Sequence, residues 1–322
     1  MKRINTLLAC LGIMLGSIGM PSQADTYPER TISVIVPFSP GGNVDIVARL
    51  INHKLETELG QSLVTANVSG ASGVIGAGQA ARAKPDGYTL LANSSAHVIA
   101  PAMVANLPYD PLADFIPVSQ ITQVPMVLLV SSEIPATTLD EFIAYGRARG
   151  DGVDYATYLG SAGHLAGELF KEETGVVMNL IPYKSGSTMV TDVMAGRVPA
   201  MFDGLFSANA SLKTGKVKAL AITAAQRSDF LPEIPTFAEL GYPDINAETW
   251  HGYWVPKGTP QLVVDRLSAA MAKVTAMPDV QSRIVAMGGN AVGSSSQDFT
   301  RFATAEHDRW KVVLERAGVK PQ

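Results

Sequence analysis

Residues 31–38 read TISVIVPF, an unbroken apolar, β-branched run that stops at the turn-rich SPGGN of residues 39–43. A strand apolar on both faces must be covered on both faces. A mostly parallel sheet between layers of helices supplies that cover, so this run points to an α/β fold. The next residues agree: from Val44, apolar side chains recur at Val47, Ile51, Leu55 and Leu59, one stripe at helical spacing. Asn43 is placed to cap this helix, and Asp45 lies in its first turn, where the dipole favours an anion. Ser62 to Val68 predicts a second strand, Gly70 to Gly78 leads into a short helix through Ala83, and Tyr88 to Ala92 predicts a third strand. These units make an open β/α half.

A proline-rich passage follows (Pro101, Pro108, Pro111, Pro117), and a second series begins with a strand over Met126 to Val130. Thr138 and Glu141 form a capping box for a helix running to about Arg149. Strands are predicted at Val153 to Thr157, Val176 to Ile181, Pro199 to Phe202 and Ala219 to Thr223, with helices starting near Ser161, Ser187 and Ser207. The strand-like run WHGYWVP at 250–256 then precedes three helical segments, Pro260 to Ala276, Pro278 to Met287 and Gln297 to Ala317. A helical tail without strands of its own is expected to return and pack on the first half. The expected product is two α/β lobes, residues 25–122 plus 251–322 and residues 123–250. Two chain crossings, near Val118 to Pro125 and Ala247 to Trp254, would act as hinges beside a ligand cleft at the carboxyl ends of the strands.

The first residues are set apart. Lys2 and Arg3 precede an apolar stretch from Leu7 to about Met20, and Ser22, Gln23 and Ala24 form a small-x-small cleavage site, which together read as a secretory signal peptide over residues 1–24. The apolar run is shorter than the ~20 residues of a spanning helix. A lipid-attachment box at Leu7 to Cys10 would leave almost no hydrophobic region ahead of it. Cleavage after Ala24 leaves 298 residues, removes the single cysteine, Cys10, and takes the net charge from −4 to −6. The mature protein is therefore expected in the periplasm, with neither a disulfide framework nor a cysteine-ligated metal. With no basic run beyond a dipeptide, nucleic acid is not an expected partner.

Three strand-end loops, Ser39 to Asn43, Ser69 to Gly73 and Gly160 to Gly163, are rich in Gly and Ser, and each leads into a predicted helix. Exposed backbone N–H groups there can hold an anion without a side-chain cation. No Lys or Arg occurs from Thr31 to Ala48 or from Gln61 to Ala81. The same glycines could instead serve only to allow tight turns. Other chemistries fit less well. Gly76, Gly78 and Ala81 match a dinucleotide fingerprint, but they follow a loop rather than a strand, and no acidic residue lies between Gly87 and Tyr109 to take a ribose. Gly160-Ser161-Ala162-Gly163 is not the GxSxG of a hydrolase, although His97, His164 and Asp203 could be combined on paper with Ser94, Ser95 or Ser161 as a triad. His164 and Glu168 share a helix face without the second histidine of a metal motif, and His53 and His307 are expected on solvated helix surfaces.

The segments VPFSPGGNVDIVAR, NVSGASGVIGAG, KPDGYTLL, YATYLGSAGHLAGELF, IPYKSGS, MFDG and GYWVPKGTP occur in this order along essentially the whole mature chain. In this the sequence resembles the Bug (TctC-type) extracytoplasmic solute-binding proteins of tripartite tricarboxylate transport systems. The resemblance implies a two-lobed periplasmic binding protein of type II-like fold, a monomer that is not an enzyme and needs no cofactor. It would close on an organic carboxylate and deliver it to integral membrane subunits. It further implies that the loops carrying Phe38, Ser39, Gly41, Asn43 and Asp45, and Ser69, Ala71, Ser72 and Gly73, hold one ligand carboxylate, partly through ordered waters. Ser95, Ala96 and His97 would form a wall. Tyr158, Gly160, Ser161, His164, Tyr183, Ser185, Phe202 and Asp203 would read the other end. The loop after Tyr155 is one residue shorter than members usually have, with Tyr158 and Leu159 where small residues are common. Phe38, Tyr158, Phe202, Phe206 and Trp250 could supply flat walls, which favours an aromatic diacid of phthalate type. The alternatives are an aliphatic di- or tricarboxylate such as citrate or succinate, an amino acid, or, in a different class, a secreted hydrolase.

Overall fold

A computed structural model describes residues 27–183 and 186–321 of the chain. The leader with Cys10, as well as Lys184 and, from the expected second-lobe site, Ser185, lie outside the described residues, as does the side chain of Phe206. The first lobe opens with β1 (Ile32–Val36), α1 (Asn43–Leu59), β2 (Leu63–Asn67), a 3-10 turn (Ala71–Gly73), α2 (Val74–Ala81), β3 (Thr89–Ser94) and α3 (Ala96–Met103). The long strand β4 (Phe115–Ser131) leads into α4 (Leu139–Arg147), β5 (Val153–Thr157), α5 (Ala162–Thr174), β6 (Met178–Pro182), α6 (Gly186–Met194), β7 (Ala200–Gly204), α7 (Leu205–Leu212) and β8 (Val217–Ile222). The chain returns through β9 (Glu248–Pro256), α8 (Gln261–Thr275), α9 (Pro278–Ala286), β10 (Asn290–Ala291) and α10 (Ser296–Arg316).

In the first lobe β1 runs parallel between β2 and β3, and β9 lies antiparallel to β3. In the second, β5 runs parallel between β6 and β7. One strand serves both lobes. Up to Pro125, β4 pairs with β9, and from Met126 onward it pairs with β7 on one side and β8 on the other. The two expected crossings are thus strands hydrogen-bonded to each other, from Pro117↔Trp254 to Pro125↔Glu248.

Three readings of the sequence change here. The strand expected at Met126 begins at Phe115 instead, because its prolines sit where a ladder tolerates them: Pro117 borders a register shift, and Pro125 lies at the change of partners. The proline-rich passage contains a helix, α3, with Pro101 inside it. Asn43 is not a cap: Gly42 holds that position and Asn43 is the first helical residue, exposed to solvent. The capping box is present as read, with the Glu141 N–H donating to Thr138 Oγ1 and the Thr138 N–H donating to the Glu141 carboxylate.

Apolar packing explains why the tail does more than cover the first lobe. Helix α10 buries Phe299, Ala303, Trp310 and Leu314 in a core shared with Ile35 and Leu91 of the first lobe and Leu128, Phe170 and Phe202 of the second. Phe299 packs on Trp250 and Trp254, with ring centroids 5.6 and 4.9 Å away. Arg316 pairs with Glu172 of α5 at 2.9 Å. The tail also contributes the short strand β10 against β4, which the sequence reading did not foresee. α10 is therefore a brace behind both lobes.

Candidate functional site

Adjacent parallel strands place the first two loops side by side. Val36 pairs with Asn67, so the loops that follow, Phe38 to Asn43 and Ser69 to Gly73, leave the same end of the sheet. Ser39, Gly41, Asn43, Ser69, Ala71 and Ser72 are exposed there, and the half-buried Phe38 ring lies over Gly73, where a Cβ would come within 3.3 Å of it. Four consecutive residues, Gly70 to Gly73, have positive φ (136°, 46°, 54° and 96°). Ala71 and Ser72 carry side chains in this left-handed region, at a cost of ~1–2 kcal/mol each. Gly76 is required by packing, since a Cβ would meet the Val68 carbonyl at 2.6 Å, and that accounts for the glycine once matched to a nucleotide fingerprint.

Asp45 underlies the first loop. It is only 2% exposed, and both of its oxygens accept hydrogen bonds. Oδ2 accepts the Gly41 N–H and Arg49 Nε, both at 2.9 Å, and Oδ1 accepts Asn67 Nδ2 at 2.9 Å. Asn67 also donates to the Phe38 carbonyl and accepts from the Arg49 guanidinium, each at 3.0 Å. Burial alone would raise the Asp45 carboxyl, but the hydrogen bonds from Arg49, Gly41 and Asn67 and the Arg49 charge outweigh it and hold the group at about 2. Asp45 therefore ties the loop down and is not itself presented to a ligand. Arg49 and Asn67 escaped the sequence reading. Arg49 had a signal, four residues after an acid on a helix, whereas Asn67 had none because only the β1–β2 pairing brings it near.

The second lobe presents the ends of β5, β6 and β7. Ser161 caps α5: its Oγ accepts the His164 N–H at 3.2 Å and donates to the Tyr158 carbonyl at 2.7 Å. His164 is buried, with Nδ1 accepting the Gly160 N–H at 3.2 Å, so it braces the loop from beneath. The Tyr183 N–H donates to the Thr157 carbonyl, which aligns the loop after β6, and the Tyr183 hydroxyl is taken up by Asp192 at 2.7 Å. Asp203 lies at the end of β7. Tyr158 and Leu159 are 38% and 45% exposed. Packing at Gly160 brings the lobes together, since a Cβ there would come within 2.9 Å of Met103 Cγ at the end of α3, and α3 also packs on the Ala71–Gly73 turn.

Several expected contacts lie elsewhere. His97 is in the core, not on a wall, stacked on Tyr109 and packed against Phe115 and Trp254. Phe202 and Trp250 are core residues as well, 1% and 0% exposed, so neither is a wall. Ser95 is buried, with Oγ 3.3 Å from Thr249 Oγ1 on β9, so it braces the crossing. His307 is not free in solvent, since its Nδ1 lies 3.0 Å from the Val98 carbonyl. Surface hollows of about 560 and 320 Å³ lie against α3 and α10, lined by Pro101 and His307, away from these loops. Among the described residues no cluster of His, Cys, Asp or Glu is placed to hold a metal.

Burial pushes His97 down to about 3 and His251 to about 4, and it lowers His164 against the opposing pull of Glu168. His97 and His251 are therefore neutral at pH 6–8. Any anion held at the first-lobe loops is thus met by backbone N–H groups and hydroxyls that do not titrate there.

Gly160 offers a test of the cleft. At φ 72°, Gly160→Ala should cost ~1–2 kcal/mol of stability through left-handed strain. The clash with Met103 arises only where the lobes meet, so ligand affinity should fall further, about tenfold, or ~1.4 kcal/mol. Titration calorimetry of Gly160→Ala and of Gly160→Ala with Met103→Ala checks this, and a double variant no better than the single would remove Met103 from the account.

Two α/β lobes that share one strand, with Gly160 of one set against Met103 of the other beside the Gly/Ser-rich loops, make up a two-lobed solute-binding protein. The family model described as the tripartite tricarboxylate transporter family receptor matches residues 47–319, and the chain belongs to this family of receptors, which are not enzymes. It is 37% identical over 319 residues, 98% of each chain, to Protein BugT of Bordetella pertussis. Among solved structures it is similar to an R. palustris protein with adipate (36% identity, TM-score 0.81, 92% of this chain and 100% of that one). It is also similar to MatC from Rhodopseudomonas palustris with bound malate (32% identity, TM-score 0.76, 89% and 100%).

Proposed function

We propose that this receptor works in the periplasm, captures a small aliphatic carboxylate between its lobes, and delivers it to the integral membrane subunits of a tripartite transporter. The observation that carries this reading is the pair of Gly/Ser loops after β1 and β2, which offer exposed backbone and hydroxyl donors with no Lys or Arg, Arg49 being spent on Asp45. Residues 1–24 act as the export leader. Residues 25–122 plus 251–322 and residues 123–250 move as two bodies about the paired strands β4 and β9. A ligand shifts that equilibrium only through contacts it makes better in the closed form, so the second lobe must also touch it. An aliphatic ligand is favoured over an aromatic one because Phe202 and Trp250 are committed to the core, so that of the expected flat walls whose side chains are described only Phe38 and Tyr158 stay outside it. Adipate and malate, carried by similar proteins, are both aliphatic.

Thermal melts against aliphatic di- and tricarboxylates, amino acids and aromatic acids test the reading. A ligand at 100 times its Kd should stabilise the protein by about 2.7 kcal/mol. Shifts confined to aromatic acids would overturn the aliphatic assignment, and a melt unmoved by every acid would overturn the carboxylate one.

A further inference from the structure

Asp203 stands out among the described polar groups of the second lobe. Its Oδ1 accepts the Gly204 N–H at 2.9 Å, whereas Oδ2 is buried with no hydrogen-bond partner. Among the described residues no cation acts on it; burial dominates, opposed by the Gly204 N–H and by the nearby Ser207 hydroxyl, whose one proton goes to the Gly204 carbonyl at 3.1 Å, and the carboxyl is raised above its ordinary range. Tyr158 lies close enough that the Asp203 charge, after burial, helps raise the phenol. The Tyr158 hydroxyl rests against Gly186, where a Cβ would come within 2.6 Å of it. The exposed Tyr158 thus reaches from the end of β5 to the start of α6, next to the end of β7 where the unpaired oxygen sits.

A buried acceptor without a donor is unfavourable, more so when charged, and the deficit is removed by whatever brings a hydrogen to it. A ligand hydroxyl can donate to an ionised Asp203 or accept from a protonated one. An ammonium serves the ionised form. A second ligand carboxylate can only accept from the protonated form, which keeps a proton on the pair, and it is repelled by the ionised form, since two like charges in one poorly solvated place repel.

We propose that Asp203 is a specificity residue that selects carboxylates bearing a hydroxyl or ammonium donor at the end facing the second lobe over matched acids lacking one. This rests on reading the cleft as a carboxylate site. Tyr158 moves off Gly186 to admit the donor, and the ligand supplies the hydrogen that the fold leaves out.

The test is calorimetric titration with matched series of four, five and six carbons: succinate, malate and aspartate; glutarate, 2-hydroxyglutarate and glutamate; adipate, 2-hydroxyadipate and 2-aminoadipate. In the native protein a donor-bearing member should bind at least tenfold tighter than its unsubstituted partner. In Asp203→Asn, with its melt checked, that ratio should fall to within about threefold, and the unsubstituted acid should bind more tightly than it does to the native protein. The hydroxy and amino arms identify which donor is used. Equal affinity across a series in the native protein, a measurement that needs no variant, overturns the role of Asp203 while leaving the carboxylate reading intact. A ratio that survives in Asp203→Asn does the same. Binding of no member overturns the carboxylate reading itself.

Discussion

Asp45→Ala is expected to cost about 2–3 kcal/mol of folding stability and to weaken ligand binding at least tenfold. The carboxylate it removes is only 2% exposed and joins three segments: the Gly41 N–H of the first loop, Arg49 on α1 and Asn67 at the end of β2. Breaking a fully buried ion pair costs ~3–5 kcal/mol, and the lower figure applies because Arg49 is itself about half exposed and can turn to water. The effect on binding follows from geometry. Asn67 holds the Phe38 carbonyl at 3.0 Å, so without Asp45 both the Gly41 and Phe38 ends of the loop lose an anchor, and donors once aimed together spread out. The sign of the pH effect is definite. The folded carboxyl lies at about 2, below its unfolded value of ~3.9, so its contribution is fully present above pH ~4 and is lost as pH falls toward 2. Urea unfolding of wild type and Asp45→Ala at pH 7, 4 and 2.5, with calorimetric titration at pH 7, measures both effects. Curves separated equally at all three pH values would refute the ionic account.

Glu248 predicts the opposite sign. It opens β9, where Gln123 of β4 donates to it and Glu306 and Arg309 of α10 face it. Burial raises its carboxyl to about 7, with Glu306 pushing the same way against Gln123 and Arg309. Glu306 accepts from the Trp250 and Trp310 indole N–H groups, 3.2 and 3.3 Å from one oxygen. The folded state thus keeps a proton that the unfolded state releases near pH 4.3. The stability this provides is complete below that value and is lost as pH rises through about 7. A gap of between two and three pH units is worth about 3 kcal/mol. Glu248→Gln, which cannot ionise, should be more stable than wild type by about that amount at pH 8 and nearly equal to it at pH 4.5. Urea unfolding across that range decides the matter, and parallel profiles for the two proteins would show that Glu248 is not the titrating group. Because β9 is one of the two paired crossings, ligand affinity above pH 7 should follow the same group.

The local signals in the sequence were reliable where a single turn or strand decides the outcome. The TISVIVPF strand, the Thr138–Glu141 capping box and the helix start near Ser161 depend on neighbours within four residues, and each is present. The prolines misled for the same reason. Pro117 and Pro125 argue locally against a strand, and the ladder of β4 accommodates them only through a register shift and a change of partners that no local pattern contains. Pro101 likewise hid α3.

By itself, then, the sequence determined the α/β alternation, the order of the loops and the absence of cations from the first two, because these depend on hydrophobic period, turn chemistry and residue identity alone. It left open which polar and aromatic side chains face the cleft. His97, Phe202 and Trp250 were expected at the site and lie in the core. Asp45, expected to meet the ligand, is used up holding a loop, and Asp203 keeps one buried oxygen unpaired among the described residues. A side chain's direction follows from what packs against its strand or helix, and those partners are up to about two hundred residues away, as when Tyr253 bonds Asn52 at 2.9 Å. Only the tertiary structure could decide it.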